Sequence, residues 1–200
     1  EFIGTIAIIA SRRVEAVITD EVTRPPDSSL RIGLAQAVIK GTGVDQLLRP
    51  AVEIGITDFY PLQTSRTVVH PGKKRKKKEE RWRKIAVDAL RQSARPRIPT
   101  IHPFRDWKGL LCLVSEFELC LIPWAKENER GIKRVLADFP AQSPPESVLV
   151  VIGPEGGFSD REVESAAETG FRPVRLGPSV LRAKTAGLVA LSCIQYHFNW

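Results

Sequence analysis

VVIGPEGGFSDREVESA, residues 150–166, joins an apolar, β-branched run to a helix signal through a glycine-rich turn. The run 147–152 has the composition of a strand buried on both faces of a sheet. Ser159 and Glu162 have the spacing of a capping box, in which each side chain accepts a hydrogen bond from a backbone amide of the other residue. The turn 153–157 is therefore predicted to lead from the carboxyl end of a strand directly into a helix.

The same alternation of strand and helix extends outward from this turn. The predicted elements are a hairpin within 4–19, strands at 30–39, 58–62, 110–114, 119–122, 147–152 and 173–176, and helices at 44–53, 79–93, 128–138, 160–168 and 181–198. Strands that alternate with helices predict an α/β fold with a parallel sheet.

A second glycine-proline turn begins at Leu176, about twenty residues after the first, and again lies between a predicted strand and a helix. Open α/β sheets bind ligands at the carboxyl ends of their strands, where both turns are predicted to lie. Glycine in such a turn lets the backbone approach a ligand closely. Neither turn has the G-x-G-x-x-G or GK[ST] pattern, so the dinucleotide and P-loop fingerprints are absent. One such turn is more often a tight connection than a binding site, but two at one edge can face a single small molecule.

Longer segments carry a family resemblance. Besides 150–166, they are VRLGPSVLRAKTAGLVAL (174–191), LAQAVIKGTGVDQLLRPAVEIGITDFYPLQTSRTVV (34–69) and RWRKIAVDALRQSARPRIPTI (81–101). Together they resemble the bacterial 16S ribosomal RNA uridine-N3 methyltransferases, small-subunit methyltransferase E, of the SPOUT superfamily. The resemblance covers about residues 30–198 in the family's order.

The resemblance implies a particular fold. It is a SPOUT-type parallel sheet whose C-terminal segment is threaded into a trefoil knot, a rare exception to unknotted chains. Residues 29–200 would be the SPOUT methyltransferase domain, and residues 1–28 a partial PUA-like β-barrel whose N-terminal part precedes Glu1. A chain that starts without methionine agrees with a processed product or a piece of something longer. SPOUT proteins pair through the knotted region, so a homodimer is expected.

The implied activity is S-adenosylmethionine-dependent methylation of uridine N3 in 16S ribosomal RNA. Because that nitrogen carries a proton, a base must remove the proton or cations must stabilise the anion. Glu155 is the candidate base and Arg182 the candidate cation, although Glu155 is equally suited to brace the loop by accepting backbone amides. The expected cofactor-binding residues are Ile152, Gly153, Pro154, Gly156, Gly157, Leu176, Gly177, Val180 and Leu181.

Two departures from the family pattern leave alternatives open. The family commonly has Leu-Arg-Thr-Glu-Thr-Ala where this chain has Lys184 at the acidic position. One alternative is thus a knotted RNA-binding or ribosome-assembly protein without turnover. Another is an α/β enzyme that binds phosphate at 153–157, although Ser159 already caps the helix start there. Pro50 falls within a predicted helix, where it would be tolerated near the start.

The charge of the chain indicates a polyanionic partner. A net charge of +7 favours nucleic acid. The basic tract 72–78 is predicted to be a mobile loop that contacts phosphates, the alternative being a solvated surface. The residues expected to face 16S ribosomal RNA or the small ribosomal subunit are Lys73, Lys74, Arg75, Gln92, Arg95 and Arg97, the last three having a salt-bridged loop as their alternative.

Other features exclude classes of protein. No apolar run reaches the ~18 residues of a membrane span, and no secretory signal is visible. Cys112, Cys120 and Cys193 lack CxxC spacing and are predicted to be buried free thiols in a reducing cytoplasm. The three histidines lack the spacing of metal ligands, so no metal is expected.

Overall fold

The computed structural model describes residues 2–21, 29–69, 72–93, 95–140 and 143–198, with only the backbone of Lys73. The strands are β1 (Phe2–Ala10), β2 (Arg13–Glu21), β3 (Arg31–Ala37), β4 (Asp58–Leu62), β5 (Thr100–Ile101), β6 (Leu119–Pro123), β7 (Ser147–Ile152) and β8 (Arg172–Val174). The helices are α1 (Gly43–Ile54), α2 (Arg75–Ser93), α3 (Trp107–Leu111), α4 (Ile132–Leu136), α5 (Asp160–Glu168) and α6 (Ala183–Phe198).

Strands β3 to β8 form one parallel six-stranded sheet in the order β5-β4-β3-β7-β6-β8. The predicted parallel α/β sheet is therefore confirmed. β3 connects to β4 on one side, whereas β7 connects through α5 to β8 on the other. The boundary between β3 and β7 is a topological switch point, where the loops that follow the two strands diverge and leave a crevice.

The sheet is covered on both faces. The larger apolar cluster packs one face against α1, α2, α4 and α6, with Leu47, Trp82 and Leu191 at its centre. The smaller cluster packs the other face against α3 and α5 through Leu110 and Val163. Burial on both faces explains why β7 and most of β3 are apolar without alternation.

The strand predicted at 110–114 is wrong. This segment contains the end of α3 and a 3₁₀ turn, Cys112–Glu116. The side chain of Asp106 caps α3 by accepting a hydrogen bond from the Gly109 amide at 2.8 Å. Leu110 and Leu113 are buried at helical spacing. A short apolar run has no period that separates a strand from a buried helix.

The helix predicted at 128–138 is shorter in the structure, where α4 covers only Ile132–Leu136. The carboxylate of Glu127 accepts hydrogen bonds from the amides of Glu129 and Arg130 at 2.8 and 3.0 Å. These hydrogen bonds stabilise a turn at residues 127–130, so the helix begins only after it.

The basic tract is not a loop, contrary to the prediction. Gly72–Lys74 forms a 3₁₀ turn, and α2 starts at Arg75, four residues before the predicted start. Lysine and arginine are good helix formers, and buried Trp82 and Glu79 anchor this end of the helix. The Glu79 carboxylate accepts the Phe104 amide at 3.2 Å.

Pro50 lies well inside α1 rather than near its start. Its ring nitrogen has no hydrogen to donate to the carbonyl of Gln46, which removes one helical bond. The helix continues because Leu47, Leu48 and Ala51 around it are fully buried.

The cysteines are free, as predicted, but only Cys120 is buried. Burial raises the pKa of the Cys120 thiol to about 12, so this group stays protonated at neutral pH. Cys112 is exposed and Cys193 is half-buried, so the prediction of burial is wrong for these two.

The N-terminal hairpin is confirmed as an antiparallel pair, β1 with β2. Its apolar side chains are exposed on both faces of the ribbon; they are Phe2, Ile3, Ile6, Ile8, Ile9, Val14, Val17 and Ile18. In the described parts of the chain, no helix has both the length and the apolar character needed to cross a membrane.

A charged network lies at the amino edge of the sheet. Asp58 accepts hydrogen bonds from Arg31 Nε at 3.0 Å and the Thr57 hydroxyl at 2.8 Å, and His102 Nε2 lies 2.7 Å from its Oδ1. The His102 ring stacks on Tyr60 with centroids 4.0 Å apart. Burial alone raises the pKa of Asp58, but the hydrogen bonds from His102, Arg31 and Thr57 and the charge of Arg31 outweigh it and hold that pKa well below its usual range.

Asp58→Asn is expected to lower the free energy of unfolding at pH 7 by about 2 kcal/mol, because Arg31 loses its close anion in a partly buried site and keeps only a longer pair with Glu116 at 3.9 Å. The Arg31 side chain is 37% exposed, and water therefore limits the loss. A carboxyl group whose pKa is lowered in the folded state stabilises that state when it is ionised. Urea unfolding should thus show the difference between parent and variant intact at pH 6 to 7 and shrinking below about pH 4. A difference independent of pH would contradict this assignment.

Candidate functional site

A cavity of about 900 Å³ opens at the carboxyl edge of the sheet. Three of its walls are the loops that follow β3, β6 and β7, and the fourth is the segment 180–186 at the start of α6. It lies at the β3/β7 switch point, where open α/β sheets bind ligands. Its size is within the range of cavities that hold small molecules and cofactors.

The structure brings most of the predicted site residues together. Ile152, Gly153, Pro154, Gly156, Gly157, Val180 and Leu181 line this cavity, and so do Glu155 and Arg182. Leu176 and Gly177 line an adjoining cleft of about 140 Å³. The two spaces share Trp124, Val180 and Leu181 as walls, so the second glycine-proline turn lies beside the cavity.

Two wall loops were missed by the sequence analysis. They are Ile39 to Gly43 after β3 and Pro123 to Lys126 after β6. Both follow strands that were predicted, and the first has glycines at 41 and 43. The rule that led to 153–157, a turn at the carboxyl end of a buried strand, would have found them if applied to every strand.

Arg66 holds the glycine-rich turn in place. Its Nη1 donates to the carbonyls of Gly156 at 3.0 Å and Phe158 at 3.1 Å. Arg66 comes from the loop after β4, and no sequence pattern marked it. A Cβ added at Gly156 would lie 3.5 Å from the Arg66 Cβ, an ordinary contact distance. Close packing therefore does not require glycine at 156 in this structure.

The predicted capping box is confirmed, and it ties two loops together. The Ser159 hydroxyl accepts the Glu162 amide, and Glu162 Oε2 accepts the Ser159 amide at 2.8 Å. Glu162 Oε1 also accepts the Ser65 amide at 2.7 Å, which links the loop after β4 to the start of α5. Burial raises the pKa of Glu162, but the bonds from Ser65 and Ser159 outweigh it and lower that pKa below its usual value.

The floor of the turn is attached to the centre of the sheet. Gln36 of β3 is fully buried and donates through Nε2 to the carbonyls of Ala37 at 2.8 Å and Gly153 at 3.4 Å. Its Oε1 is buried and has no hydrogen-bond partner among the described residues. There is little space for a side chain at position 153, because a Cβ added at Gly153 would lie 3.2 Å from the Phe158 ring.

Glu155 has a definite contact. Its Oε1 accepts the Lys40 amide at 2.9 Å, which bridges the loops after β7 and β3. This contact with a backbone amide is the one expected if Glu155 braces the loop. In the part of the chain that the structure describes, its Oε2 has no hydrogen-bond partner, and the side chain is exposed to the cavity.

Basic residues outnumber acidic ones around the cavity. The basic residues are Lys40, Arg66, Lys126, Arg182 and Lys184, and Glu155 is the acid in the lining. Several are already engaged: Lys126 pairs with Asp160 at 2.6 Å, and Lys184 donates to Gln46 Oε1 at 2.6 Å. Lys184 thus joins α6 to α1.

Comparison with known proteins decides the family. Residues 26–195 match the family described as an RNA methyltransferase domain. This chain belongs to that family. It is similar to the ribosomal RNA small subunit methyltransferase E of Bacillus subtilis, with 31% identity over 193 residues that cover 94% of this chain and 74% of that protein.

Two solved structures are also similar to this RNA methyltransferase family member, and each match covers 98% of this chain and 78% of the other. One is a putative methyltransferase from Legionella pneumophila in complex with the bound cofactor SAM, with a TM-score of 0.85 and 33% identity. The other is a ribosomal RNA small subunit methyltransferase E from Neisseria gonorrhoeae bound to S-adenosyl methionine, with a TM-score of 0.83 and 28% identity. The resemblance seen in the sequence is confirmed at the level of the family.

In this RNA methyltransferase family member, the predicted RNA-facing residues do not form one surface. Lys74 and Arg75 lie at the start of α2, near the cavity edge, whereas Gln92 lies at its other end, about 27 Å away at 1.5 Å per residue. The side chain of Lys73 lies outside the described part.

The last two predicted RNA-facing residues lie near the far end of α2. Arg95 and Arg97 line a separate cavity of about 340 Å³ at the amino edge of the sheet. Arg95 donates to the carbonyl of Val52 at 2.9 Å. Within the described ranges of the chain, no group of three or more histidine, cysteine or acidic residues is arranged to hold a metal ion.

Proposed function

We propose that this chain transfers a methyl group from S-adenosylmethionine to N3 of a uridine in 16S ribosomal RNA. The observation that carries the proposal is the cavity at the β3/β7 switch point, built from the glycine-rich turn and the segment before α6. The named relatives add support, because two are ribosomal RNA small subunit methyltransferases and two were solved with SAM.

The cavity and the adjoining cleft fit a cofactor of this kind. Their combined space admits a nucleoside and an amino-acid tail, and the turns offer backbone groups rather than bulky side chains. At Gly177 an added Cβ would meet no atom within 4 Å, so the missing side chain leaves open space on the cleft side. We place the cofactor against residues 152–157 and 176–181.

The cofactor supplies an electrophilic methyl group, so the protein must position the uridine and manage its N3 proton. We assign two roles to Glu155 through its two oxygens. Oε1 holds the Lys40 amide and fixes the loop, and Oε2 is free to accept the proton. Arg182, exposed at the cavity wall, would stabilise the negative charge that develops on the uridine oxygens.

Glu155→Gln is expected to keep the contact with Lys40 and lose the proton acceptor. Its affinity for S-adenosylmethionine should stay within about twofold, while kcat for methylation of a 16S transcript falls by roughly 10² to 10⁴. Glu155→Ala should lose both properties, because the brace is removed as well. Arg182→Ala should retain cofactor affinity and lower kcat by roughly 10².

These variants separate the base from the brace. Calorimetric titration and single-turnover methylation measure the two quantities independently. If Glu155→Gln keeps the parental kcat, Glu155 only braces the loop and is not the base. If the parent chain binds S-adenosylmethionine and RNA but never methylates, the alternative of an RNA-binding protein without turnover is correct.

Gly177→Val is expected to weaken S-adenosylmethionine binding at least tenfold by filling the cleft. The fold should tolerate it, because the backbone at Gly177 is not left-handed and the space around it is open. Gly131→Val is the matched control, since Gly131 also has no neighbour within 4 Å of an added Cβ and lines neither space. If calorimetry gives the same S-adenosylmethionine affinity for Gly177→Val and for the parent, the second turn is not part of the cofactor site.

We also propose a symmetric homodimer. Val180 and Tyr196, before and near the end of α6, are 81% and 75% exposed, and Leu188 and Val189 are only half-buried. An apolar helix that one core face does not fully cover fits a pairing surface.

Sedimentation equilibrium should give twice the 22.3-kDa chain mass at micromolar concentration. Tyr196→Glu should shift the mass to that of a single chain. Val68→Glu, at an exposed apolar position outside α6, should leave the mass unchanged. A single-chain mass for the parent would contradict the proposal.

The finer features of the fold are proposals too. After β8, at the edge of the sheet, most of residues 175–186 line the same spaces as the loops after β6 and β7, and α6 packs on α1. This path supports a C-terminal trefoil knot within a SPOUT domain at 29–200. The exposed apolar hairpin supports 1–28 as part of a PUA-like barrel, since two strands are marginal alone. A ribosomal RNA substrate supports the cytoplasm as the location of the protein.

A further inference from the structure

A second groove, of about 280 Å³, lies beside the cofactor cavity between the loop after β3 and the start of α2. One side is the loop Ile39 to Thr42 with Asp45 at the start of α1. The other side presents the basic residues Lys74, Lys77, Lys78 and Arg81. We call this space the α2 groove.

The basic residues of the α2 groove lie on one face of the helix. Positions 74, 77, 78 and 81 have offsets 0, 3, 4 and 7, the spacing that places side chains in one stripe. Lys76 is on the opposite face, and Lys84 lies nearly two turns beyond Lys78, so neither lines the groove. The sequence does not distinguish the basic residues of this tract, but in the structure only some of them line the groove.

The charge of the α2 groove is strongly unbalanced. Asp45 accepts the Trp82 indole nitrogen at 2.9 Å and pairs with Arg81 at 2.7 Å, so its charge is already matched. Among the described residues, none forms an ion pair with Lys74, Lys77 or Lys78. Three positive charges thus face one narrow space.

The α2 groove is continuous with the cofactor cavity. Ile39, Gly41 and Thr42 line both spaces. At Gly41 the backbone is left-handed, with φ of 60°, and no atom lies within 4 Å of an added Cβ. The divide between the spaces is therefore bare backbone at Gly41, and a polymer chain can pass over it there.

We infer that the α2 groove binds the phosphodiester backbone beside the target nucleotide, so that the RNA strand crosses Gly41 with its target base in the cofactor cavity. The choice of RNA as the ligand rests on the proposed function. Lysine ammonium groups bind phosphate oxygens as point charges, and three of them in a row suit successive phosphates. The same residues give no means of reading bases, so the groove positions the strand without selecting its sequence.

The test compares two double variants of equal charge. Lys77→Gln/Lys78→Gln removes two charges from the α2 groove, and Lys76→Gln/Lys84→Gln removes two from the same helix outside it. The probe is an unmodified 16S ribosomal RNA transcript, with its dissociation constant measured from 50 to 200 mM salt. For each phosphate that the protein no longer neutralises, the slope of log affinity against log salt should become shallower by about 0.7 to 0.9.

The groove variant should therefore have a slope that is shallower by about 1.4 to 1.8, and the control should remain close to the parent. KM for RNA should rise in the groove variant, while kcat and S-adenosylmethionine affinity stay parental, because neither lysine lines the cofactor cavity. Equal slopes for the two double variants, or a groove variant with the parental slope, would overturn the inference.

Failure of the proposed function gives a different pattern. If the parent neither binds S-adenosylmethionine nor methylates RNA, the enzyme proposal is wrong, yet the comparison of salt slopes still decides whether the groove binds RNA. If methylation is intact and the two slopes agree, only the groove assignment fails. Urea unfolding of both double variants confirms that each is compared in the folded state.

Discussion

β3 and β7 run side by side in parallel, with Ile32 opposite Val148 and Gln36 opposite Ile152. The chain leaves these two strands toward opposite sides of the sheet, so a crevice opens at their carboxyl ends. Every wall of the site follows from this arrangement. The loops after β3, β6 and β7 emerge at one edge, and α6 returns to close it.

A parallel sheet provides the crevice, but polar contacts between its loops give it a defined shape. Glu162 holds the start of α5 and the loop after β4 with one carboxylate. From that loop, Arg66 reaches across to the glycine-rich turn, and Gln36 holds the turn from below. These contacts fix loop backbone by hydrogen bonds, which keeps a glycine-rich segment ordered without side-chain packing.

Much of this fold is readable in the sequence where a local signal agrees with the tertiary context. The strands 58–62 and 147–152 and the helix 160–168 match the prediction residue for residue, because burial on both faces and a capping box mark them clearly. The prediction for 110–114 is wrong because a short apolar run suits a strand or a buried helix equally. The site was predicted where glycine and proline mark a turn, and missed at Arg66, whose role depends on a contact 90 residues along the chain.

The two ends of α2 place a limit on the size of the RNA. Lys74 at one end lines the α2 groove, and Arg97, beyond the other end, lines a cavity at the opposite edge of the sheet. A stacked strand advances about 3.4 Å per phosphate, so it passes roughly eight phosphates along the ~27 Å of this helix. An oligonucleotide of a few residues is too short to reach from one end of this helix to the other. If one RNA strand contacts both ends of α2, it therefore needs roughly eight phosphates between the two contacts, a length that the helix itself sets.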